Sequence, residues 1–233
     1  MTRKIEMAVI IPAFHESNTI LKVFEQIESL GLSEIKLYVV IDSFDDPTNS
    51  AISLNLDRFS FPIKVLCQAP SFGPASAMRY GIQNTSEQFL VLMTADDSDD
   101  ATDLRIMHSS LQSGSDLVCA SRYTRGGTHE GGPIFKHLLS RLAAQFIYRF
   151  SGTKVSDPTN LYKGFNRRIL EGYVLKSKAG FTIGLELVVI AKRRKAIITE
   201  FPTSWTERTL GTSNFKVLRW LPQYFFWFLR VFK

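Results

Sequence analysis

Five aspartates in one short segment carry the densest candidate chemistry of the sequence. The segment TADDSDDATD places them within eight residues, directly after the apolar run FLVLM. Carboxylates this close repel one another, and a hard divalent cation with oxygen ligands offsets that repulsion. A solvated turn leading into a helix is the other interpretation, because aspartate also suits a first helical turn. The position at the end of an apolar run favours a functional site.

A second acidic loop follows another apolar run, in VVIDSFDDPT. Asp42 is placed to accept a hydrogen bond from a nucleobase N–H or a ribose hydroxyl. Asp46 and Thr48 suit either a turn or a helix cap. We predict that Thr48 caps a helix and that Asp42 binds a ligand.

The segment SFGPASAMRYG combines small residues with one cation. Gly73 allows the backbone to approach a ligand closely, and Arg79 supplies a fixed positive charge nearby. The segment lacks the Gly-Lys-Ser/Thr ending of a P-loop, which excludes that motif.

Apolar runs rich in β-branched residues alternate with helical patterns, and these elements must position the three segments. Such alternation predicts an α/β fold with a mainly parallel sheet flanked by helices. The runs are 7–11, 36–41, 63–67, 89–93 and 116–120. Ligands collect beyond the carboxyl ends of parallel strands. The site is therefore predicted in loops 12–17, 42–48 and 94–100.

Capping residues and periodicity predict where the helices begin and end. Ser17 or Asn18 is expected to cap the first helix, and Gly31 to end it. A second helix is predicted from near Thr48, and a third over 74–84 with its proline in the first turn. A long helical segment is predicted around 135–150. We interpret the half of the chain after residue 120 as the side that binds a second substrate, the acceptor.

Composition restricts the class of protein. The 233 residues are 45% hydrophobic and 21% charged with a net charge of +6, which fits one folded domain, excludes a disordered chain and favours anionic partners. Cys67 and Cys119 lie in apolar runs and are expected to be buried thiols in a reducing compartment. The basic residues form no single interleaved patch, so no nucleic-acid partner is expected. The N-terminal apolar run is too short for a signal peptide, and a cytosolic location is expected.

The C-terminal segment FKVLRWLPQYFFWFLRVFK is rich in aromatic and basic side chains. That combination is typical of a helix lying at the headgroup boundary of an anionic membrane. A core helix or a dimer seam explains the same apolar character. Pro222 and four cations argue against a spanning helix, and any membrane contact is expected to be peripheral. We divide the chain into residues 1–214 and an amphipathic membrane-surface segment, 215–233.

The order of motifs along the chain resembles that of the family-2 glycosyltransferases, particularly the polyprenyl- and dolichol-phosphate sugar transferases. The resemblance covers nearly the whole chain, through VIIPAFHES, VVIDSFDDPT, GPASAMRYG, MTADDSD, ASRYTRGG, SDPTNLYKGFNRR, GFTIGLELV and EFPTSWTERTLGTSNFK. It implies a GT-A fold, which is a Rossmann-like nucleotide-binding α/β domain.

The resemblance also implies roles for individual residues. The nucleotide-sugar pocket would comprise Pro12, Phe14, Glu16, Asp42, Gly73, Arg79, Ala95 and Asp96. A divalent metal, Mg²⁺ or Mn²⁺, would be held by Asp96 with Ser98 or Asp99. The catalytic residues would be Asp96, Arg122, Lys136 and Arg208, with Ser140 near the acceptor. The chain departs from the family pattern at His15, Ile41, Thr94 and Asn214, where Asn, an acid, Asp and Lys are usual.

The function implied is inverting transfer of a sugar from a nucleotide-diphospho-sugar to a polyprenyl phosphate at the cytosolic face of a membrane. Two alternatives stay open: a sugar hydroxyl of a lipid-linked glycan as acceptor, with Asp157 or Glu186 as the base, and a catalytically weak nucleotide-sugar-binding homologue. A sugar nucleotidyltransferase is disfavoured, because PAFHES lacks a Gly-rich activation loop. A homo-oligomer or a membrane-protein partner is compatible with the sequence.

Overall fold

The computed structural model describes residues 5–70, 73–131, 134–207 and 217–232, with the backbone alone at 134–137 and 217–218. The strands are β1 (Met7–Pro12), β2 (Ile35–Ile41), β3 (Ile63–Cys67), β4 (Phe89–Leu92), β5 (Leu117–Ser121), β6 (Thr128–Glu130), β7 (Lys163–Asn166), β8 (Ile198–Pro202) and β9 (Ser204–Thr206). The α-helices are α1 (Ile20–Ser29), α2 (Pro47–Ser53), α3 (Pro74–Gln83), α4 (Asp103–Gln112), α5 (Ile134–Phe150), α6 (Ile183–Arg193) and α7 (Val217–Arg230).

Seven of the described strands form one sheet in the order β3-β2-β1-β4-β7-β5-β8. Within it β7 runs antiparallel to both of its neighbours, and the other pairs are parallel. A second, two-stranded sheet pairs β6 with β9. The predicted α/β fold with a mainly parallel sheet is confirmed, and all five apolar runs form strands of it.

Two apolar clusters cover the two faces of the sheet. On one face Phe24 of α1, Ile52 of α2 and Leu104 of α4 pack together with strand residues. The other face packs against residues of α3, α5, α6 and α7, including the fully buried Trp227. The sheet is therefore covered on both sides, as the apolar character of its central strands requires.

The first two helices begin differently from the prediction. Thr19, rather than Ser17 or Asn18, occupies the N-cap position of α1. In α2 the cap is Asp46, whose side chain accepts a hydrogen bond from the Thr48 amide at 2.8 Å. The prediction that Thr48 is the cap is wrong, because Pro47 takes the first helical position and the cap must precede it.

The helix ends and the third helix agree with the sequence. Gly31 follows the last turn of α1 in the left-handed region, with φ of 60°. The helix α3 covers Pro74–Gln83 with its proline in the first turn, and α5 covers the long segment predicted around 135–150. The described part of the chain contains no helix with the length and apolar character needed to cross a bilayer.

Substitution of Gly81 tests the packing of α3 on the sheet. A Cβ atom at Gly81 would lie 2.5 Å from Ile10 Cγ2 and 3.2 Å from Val40 Cγ2. Glycine to alanine within a helix normally stabilises by up to about 1 kcal/mol. We expect Gly81→Ala instead to lower the free energy of unfolding by about 1–3 kcal/mol, because it overpacks a close contact. Urea denaturation measures this, with the exposed Gln83→Ala on the same helix as the control; a more stable Gly81→Ala would contradict the packing.

Candidate active site

The strand order reverses between β1 and β4, and their carboxyl ends meet at the same edge of the sheet. Successive strands are added outward from β1 to β2 and β3, after which β4 pairs with the other side of β1. Such a switch point opens a crevice beyond the strand ends, where α/β sheets bind ligands. The loops that follow β1, β2 and β4 are the three that the sequence predicts for the site.

Two hydrogen bonds clamp the loop after β1 to the start of α2. The His15 amide donates to Asp46 Oδ2 at 3.0 Å, and the Glu16 amide donates to Thr48 Oγ1 at 2.9 Å. Burial would raise the pKa of Asp46, but the hydrogen bonds from Thr48 and His15 lower it. Asp46 and Thr48 therefore shape the crevice rather than line it.

The predicted nucleotide residues lie along this edge. Pro12 ends β1, Phe14 follows it with 51% of its surface exposed, and Glu16 lies half-buried beyond them. Asp42 directly follows β2 and is half-buried. The structure brings this part of the predicted set together at the crevice.

Two residues at the crevice hold the backbone in the left-handed region. His15 has φ of 57° and Asp97 has φ of 63°. Asn, Asp and His tolerate this region several-fold better than other side chains. Histidine at position 15 therefore satisfies this backbone requirement, as an asparagine would.

The acidic loop after β4 is organised from within. Ser98 Oγ donates to Asp96 Oδ1 at 2.6 Å, and Thr94 donates to Asp99 Oδ2 from its amide at 2.9 Å and its hydroxyl at 2.8 Å. Burial raises the pKa of Asp99 to about 6, with the Asp96 charge adding to the shift and the Thr94 hydrogen bonds opposing it. Thr94, which replaces the family's aspartate, thus supports a buried carboxylate.

Asp97 points to the other side of the loop. Its carboxylate forms an ion pair with Lys22 and accepts a hydrogen bond from Gln26 Nε2 at 2.8 Å, which ties the acidic loop to α1. Ala95 is buried directly before Asp96. Asp96 lies half-buried just beyond the end of β4, and its role as a ligand-binding acid stays a prediction.

The donor set fits a cation that is shared with a phosphate group. Across the described ranges, no three His, Cys, Asp or Glu side chains form a cluster that could hold a metal ion. Mg²⁺-type ions are commonly held by only one or two carboxylates, with water and substrate phosphates completing the shell. Asp96, with Ser98 beside it, matches that pattern, whereas Asp99 is committed to Thr94.

A buried ion pair organises the other half of the site. Arg122, directly after β5, binds Asp157 in a bidentate manner, with Nε 2.7 Å from Oδ2 and Nη2 3.0 Å from Oδ1. Asp157 is fully buried. Burial would raise the pKa of Asp157, but the adjacent Arg122 guanidinium lowers it overall. Both side chains are therefore held in their charged forms.

The loop that carries Asp157 is held by two further charged residues, the half-buried Glu200 and the buried Lys163. Glu200 Oε1 accepts hydrogen bonds from the amides of Ser156 at 2.7 Å and Asp157 at 3.1 Å. Lys163 is fully buried, and its Nζ donates to the carbonyl oxygens of Asp157 and Asn160. Burial lowers the pKa of Lys163. These contacts fix the position from which Asp157 orients Arg122.

An arginine-lined cleft of about 520 Å³ opens beside this ion pair. Its lining includes Arg122, Tyr123, Arg125, His129, Leu138 and Arg141. The Tyr123 hydroxyl donates to Ser140 Oγ at 3.1 Å, which places Ser140 next to the lining. Three cations, of which Asp157 neutralises one, make the cleft suited to an anionic group.

Trp205 of β9 connects the cleft with the acidic loop. The Trp205 ring packs edge-on against the His129 ring, with 4.5 Å between their centroids. The Arg122 guanidinium carbon lies 5.9 Å from the centroid of the Trp205 ring. The Trp205 backbone forms a bridge with Asp99. The acidic loop and the arginine-lined cleft therefore meet at one residue, Trp205.

Family comparison decides the class of protein. The model of glycosyl transferase family 2 matches residues 8–174, which spans both the acidic loop and the Arg122–Asp157 pair. The chain belongs to glycosyl transferase family 2. Its mostly parallel sheet is that of the GT-A fold, as the resemblance implies.

Among curated relatives of this family-2 chain, a dolichol-phosphate mannosyltransferase of Pyrococcus furiosus is 26% identical over 91% of the chain. The chain spans 59% of that relative's length. A polyprenol monophosphomannose synthase of Mycolicibacterium smegmatis is 27% identical, covering 91% of this chain and 85% of the relative.

Solved structures share the fold. Glucosyl-3-phosphoglycerate synthase of Mycobacterium tuberculosis, in complex with Mn²⁺, UDP and glucosyl-3-phosphoglycerate, superimposes with a TM-score of 0.69 at 17% identity, covering 97% of this chain and 79% of that one. S. aureus TarS in complex with UDP-GlcNAc gives 0.59 at 16% identity, covering 88% and 60%.

Several predicted site residues lie away from the crevice contacts or outside the described part of this family-2 chain. Gly73 caps α3 with φ of 84°, and a Cβ there would meet nothing within 4 Å, so the backbone conformation rather than space requires glycine. Arg79 donates to the Ser177 carbonyl at 2.7 Å. Lys136 lies on α5, where the side chain is not described, and Arg208 lies outside the described residues. Their roles stay predictions.

Glu186 is also committed within the fold. It is fully buried and accepts hydrogen bonds from Tyr173 Oη at 3.0 Å, the Lys176 amide at 2.6 Å and the Ser177 amide at 2.8 Å. Sequence analysis missed Lys163, Trp205 and Arg141 as contributors to the site. The charged residue in the apolar setting of LYKGF is the one signal that could have indicated Lys163.

Loss of Arg122 should expose the cost of an unpaired buried charge. We expect Arg122→Ala to lower the free energy of unfolding by about 3–5 kcal/mol, because Asp157 keeps a buried charge without its partner. Adding Asp157→Asn should recover part of that loss by removing the charge. Chemical denaturation measures both.

The control for this series is Arg125→Ala, an exposed arginine of the same cleft, which should change stability by no more than about 0.5 kcal/mol. If Arg122→Ala lowered the free energy of unfolding as little as Arg125→Ala does, the Arg122–Asp157 ion pair would have no structural role.

Asp103 at the start of α4 should make stability depend on pH. It is buried, Thr203 Oγ1 donates to it, and burial raises its pKa to about 7. The unfolded state releases this proton near pH 4, so the folded state holds more protons between about pH 4 and 7 and its stability from this group falls as pH rises. We expect Asp103→Asn to gain at least about 1 kcal/mol on wild type between pH 4.5 and 7.5. Urea denaturation of both proteins at the two pH values measures this. An equal change in the free energy of unfolding of wild type and Asp103→Asn between the two pH values would contradict the prediction.

Proposed function

We propose that the chain transfers a sugar, with inversion, from a nucleotide-diphospho-sugar to a polyprenyl phosphate at the cytosolic surface of a membrane. The observation that carries the proposal is the meeting of an acidic, cation-ready loop and an arginine-lined cleft at Trp205. Such a site brings together a metal-bound diphosphate and a second anion. The names of the Pyrococcus and Mycolicibacterium relatives support a polyprenyl-type acceptor.

The donor would occupy the crevice beyond β1, β2 and β4. Asp42 would accept hydrogen bonds from the nucleoside, with Pro12, Phe14 and Glu16 forming the adjacent wall. A divalent cation held by Asp96, with Ser98 and Asp99 behind it, would supply positive charge to the leaving diphosphate. The complex of the mycobacterial synthase with Mn²⁺ and UDP supports Mg²⁺ or Mn²⁺ in this role.

The acceptor phosphate would bind in the cleft. Its oxygen attacks the anomeric carbon from the side opposite the diphosphate, the bond to the diphosphate oxygen breaks, and the configuration inverts. This nucleophile is already an anion and needs no strong base. Arg125 and Arg141 would offset the repulsion between the two phosphate groups, and we keep Arg122, Lys136 and Arg208 as further groups that would bind the phosphates of this step.

The electrostatics of the site favour a phosphate over a sugar hydroxyl as acceptor. A hydroxyl needs a general base, and the candidates are Asp157 and Glu186. Arg122 lowers the pKa of Asp157, which weakens it as a base. Glu186, on α6, accepts hydrogen bonds from three donors of the segment 173–177 that precedes this helix. Neither carboxylate is placed to collect a proton.

Membrane contact completes the proposal. The segment 215–233 would hold the protein peripherally at the membrane surface that contains the acceptor. The division of the chain into residues 1–214 and 215–233 is part of the proposal. An additional membrane-protein partner or a second copy is compatible with this arrangement.

Neutralising Asp96 tests the proposal directly. We expect Asp96→Asn to lower transfer to polyprenyl phosphate by at least about 100-fold, because it removes the charge that holds the cation against the leaving diphosphate. Chelation of divalent ions should abolish wild-type transfer, and Mn²⁺ or Mg²⁺ should restore it. Incorporation of radiolabelled sugar into the organic phase measures both.

The matched control is Asp57→Asn, which removes an exposed carboxylate from the short helical turn Leu56–Arg58, outside the predicted site loops. It should retain transfer, and both variants should unfold at the wild-type denaturant concentration. Full metal-dependent transfer by Asp96→Asn would refute the assigned site, and absence of transfer from every nucleotide-sugar tested would refute the function.

A further inference from the structure

Helix α5 presents an apolar face to solvent. Leu139, Leu142 and Phe146 have 44%, 54% and 49% of their surfaces exposed. The opposite face of the same helix is already buried, through Ala144 and Ile147. The exposed leucines and phenylalanine are therefore not needed to attach α5 to the core.

Helix α7 repeats this arrangement. Leu221, Phe225 and Leu229 are 46%, 58% and 48% exposed. Trp227 and Val231 are buried on the inner side. Both helices therefore bury one apolar face and leave a second one in contact with solvent.

Aromatic contacts join the two exposed faces into one surface. Phe146 of α5 lies 5.7 Å, between ring centroids, from Phe228 of α7 and 5.7 Å from Phe232 just beyond it. We call the exposed apolar residues of the two helices the α5–α7 face: Leu138, Leu139, Leu142, Phe146, Leu221, Phe225, Phe226 and Leu229. Large contiguous apolar surfaces of this kind mark interaction sites.

The charges around this face select its partner. The sequences 134–150 and 217–230 contain no Asp or Glu, but they contain five Lys or Arg. The Arg230 guanidinium lies 4.1 Å from the centre of the Phe226 ring, so positive charge sits at the edge of the apolar surface. Apolar helices whose own charged residues are all cations suit the headgroup boundary of an anionic bilayer.

Helix α5 also forms a wall of the cleft. Leu138 and Arg141 line it, and both belong to the helix that carries Leu139 and Leu142. The α5–α7 face and the opening of the cleft are therefore neighbours.

We propose that the α5–α7 face docks on an anionic bilayer and that the cleft receives its anionic substrate from the bilayer interface along α5. This assigns to α5 a membrane contact beyond that of the segment 215–233. The nature of the substrate rests on the proposed function; the docking does not. A phosphate at headgroup level then reaches Arg141 and Arg122 while its chain stays in the lipid.

Vesicle co-sedimentation of the full chain tests the docking. Wild type should bind vesicles of phosphatidylcholine with phosphatidylglycerol more tightly than vesicles of phosphatidylcholine alone. Leu139→Glu/Leu142→Glu should weaken binding to the anionic vesicles by roughly tenfold or more, because it places two negative charges in the contact. Leu221→Glu should weaken it in the same direction. Leu54→Glu, at a residue 85% exposed on α2's C-terminal end, should bind as wild type does.

A second assay separates the docking from the transferase reaction. Leu139→Glu/Leu142→Glu should lose transfer to long-chain polyprenyl phosphate in vesicles and keep transfer to a short-chain polyprenyl phosphate in detergent. If wild type binds vesicles but transfers sugar to neither acceptor, the proposed function fails and the docking stands.

Three results would overturn the docking. The first is equal vesicle binding by wild type and the double variant, and the second is absence of wild-type binding to anionic vesicles. The third is a dimer in analytical ultracentrifugation that the double variant abolishes while vesicle binding is unchanged, which would assign the face to a second copy. Should the double variant fail to bind nucleotide through misfolding, Leu142→Ser must show the same loss of vesicle binding for the proposal to stand.

Discussion

The ion pair between Arg122 and Asp157 is the constraint on which the second half of the molecule depends. Arg122 directly follows β5, and Asp157 lies shortly before β7. The pair therefore joins the end of a parallel strand to the approach of the strand that runs against it. Burying two charges contributes little net stability, but leaving one unpaired is costly. The pair thus fixes one arrangement of the loop, and with it the wall of the cleft.

Much of the half of the chain up to residue 120, to which we assign the donor, could be predicted because its sequence patterns are local. Each of the five predicted strands is a short, mainly apolar run, and sheet topology then places the loops at one edge. The errors are local too: Pro47 moved the cap from Thr48 to Asp46. The strands β7 and β8 escaped prediction because KGFN and ITEFP carry polar residues in sheet positions, and their burial comes from neighbours distant in sequence.

The half of the chain after residue 120, to which we assign the acceptor, was less predictable because its contacts join residues that are far apart in sequence. Arg122 can be identified as a cation from its motif, but its partner lies 35 residues away. Lys163 has no periodic signal; its burial depends on the carbonyl groups of a loop that only the fold brings near. The exposed face of α5 could be foreseen only in part, because a helical pattern of leucines reads equally as core, and the structure alone distinguishes its buried side from its exposed side.

The two groups of predicted site residues are held in place by different contacts. The donor loops are clamped to one another by His15, Glu16 and Asp46, whereas the cleft is formed by residues from 122 onward, with Trp205 as the joint. With the donor and acceptor sides assigned as proposed, evolution can change them separately: a lineage can acquire a new acceptor by drift in the 122–141 segment while selection on nucleotide recognition is unchanged.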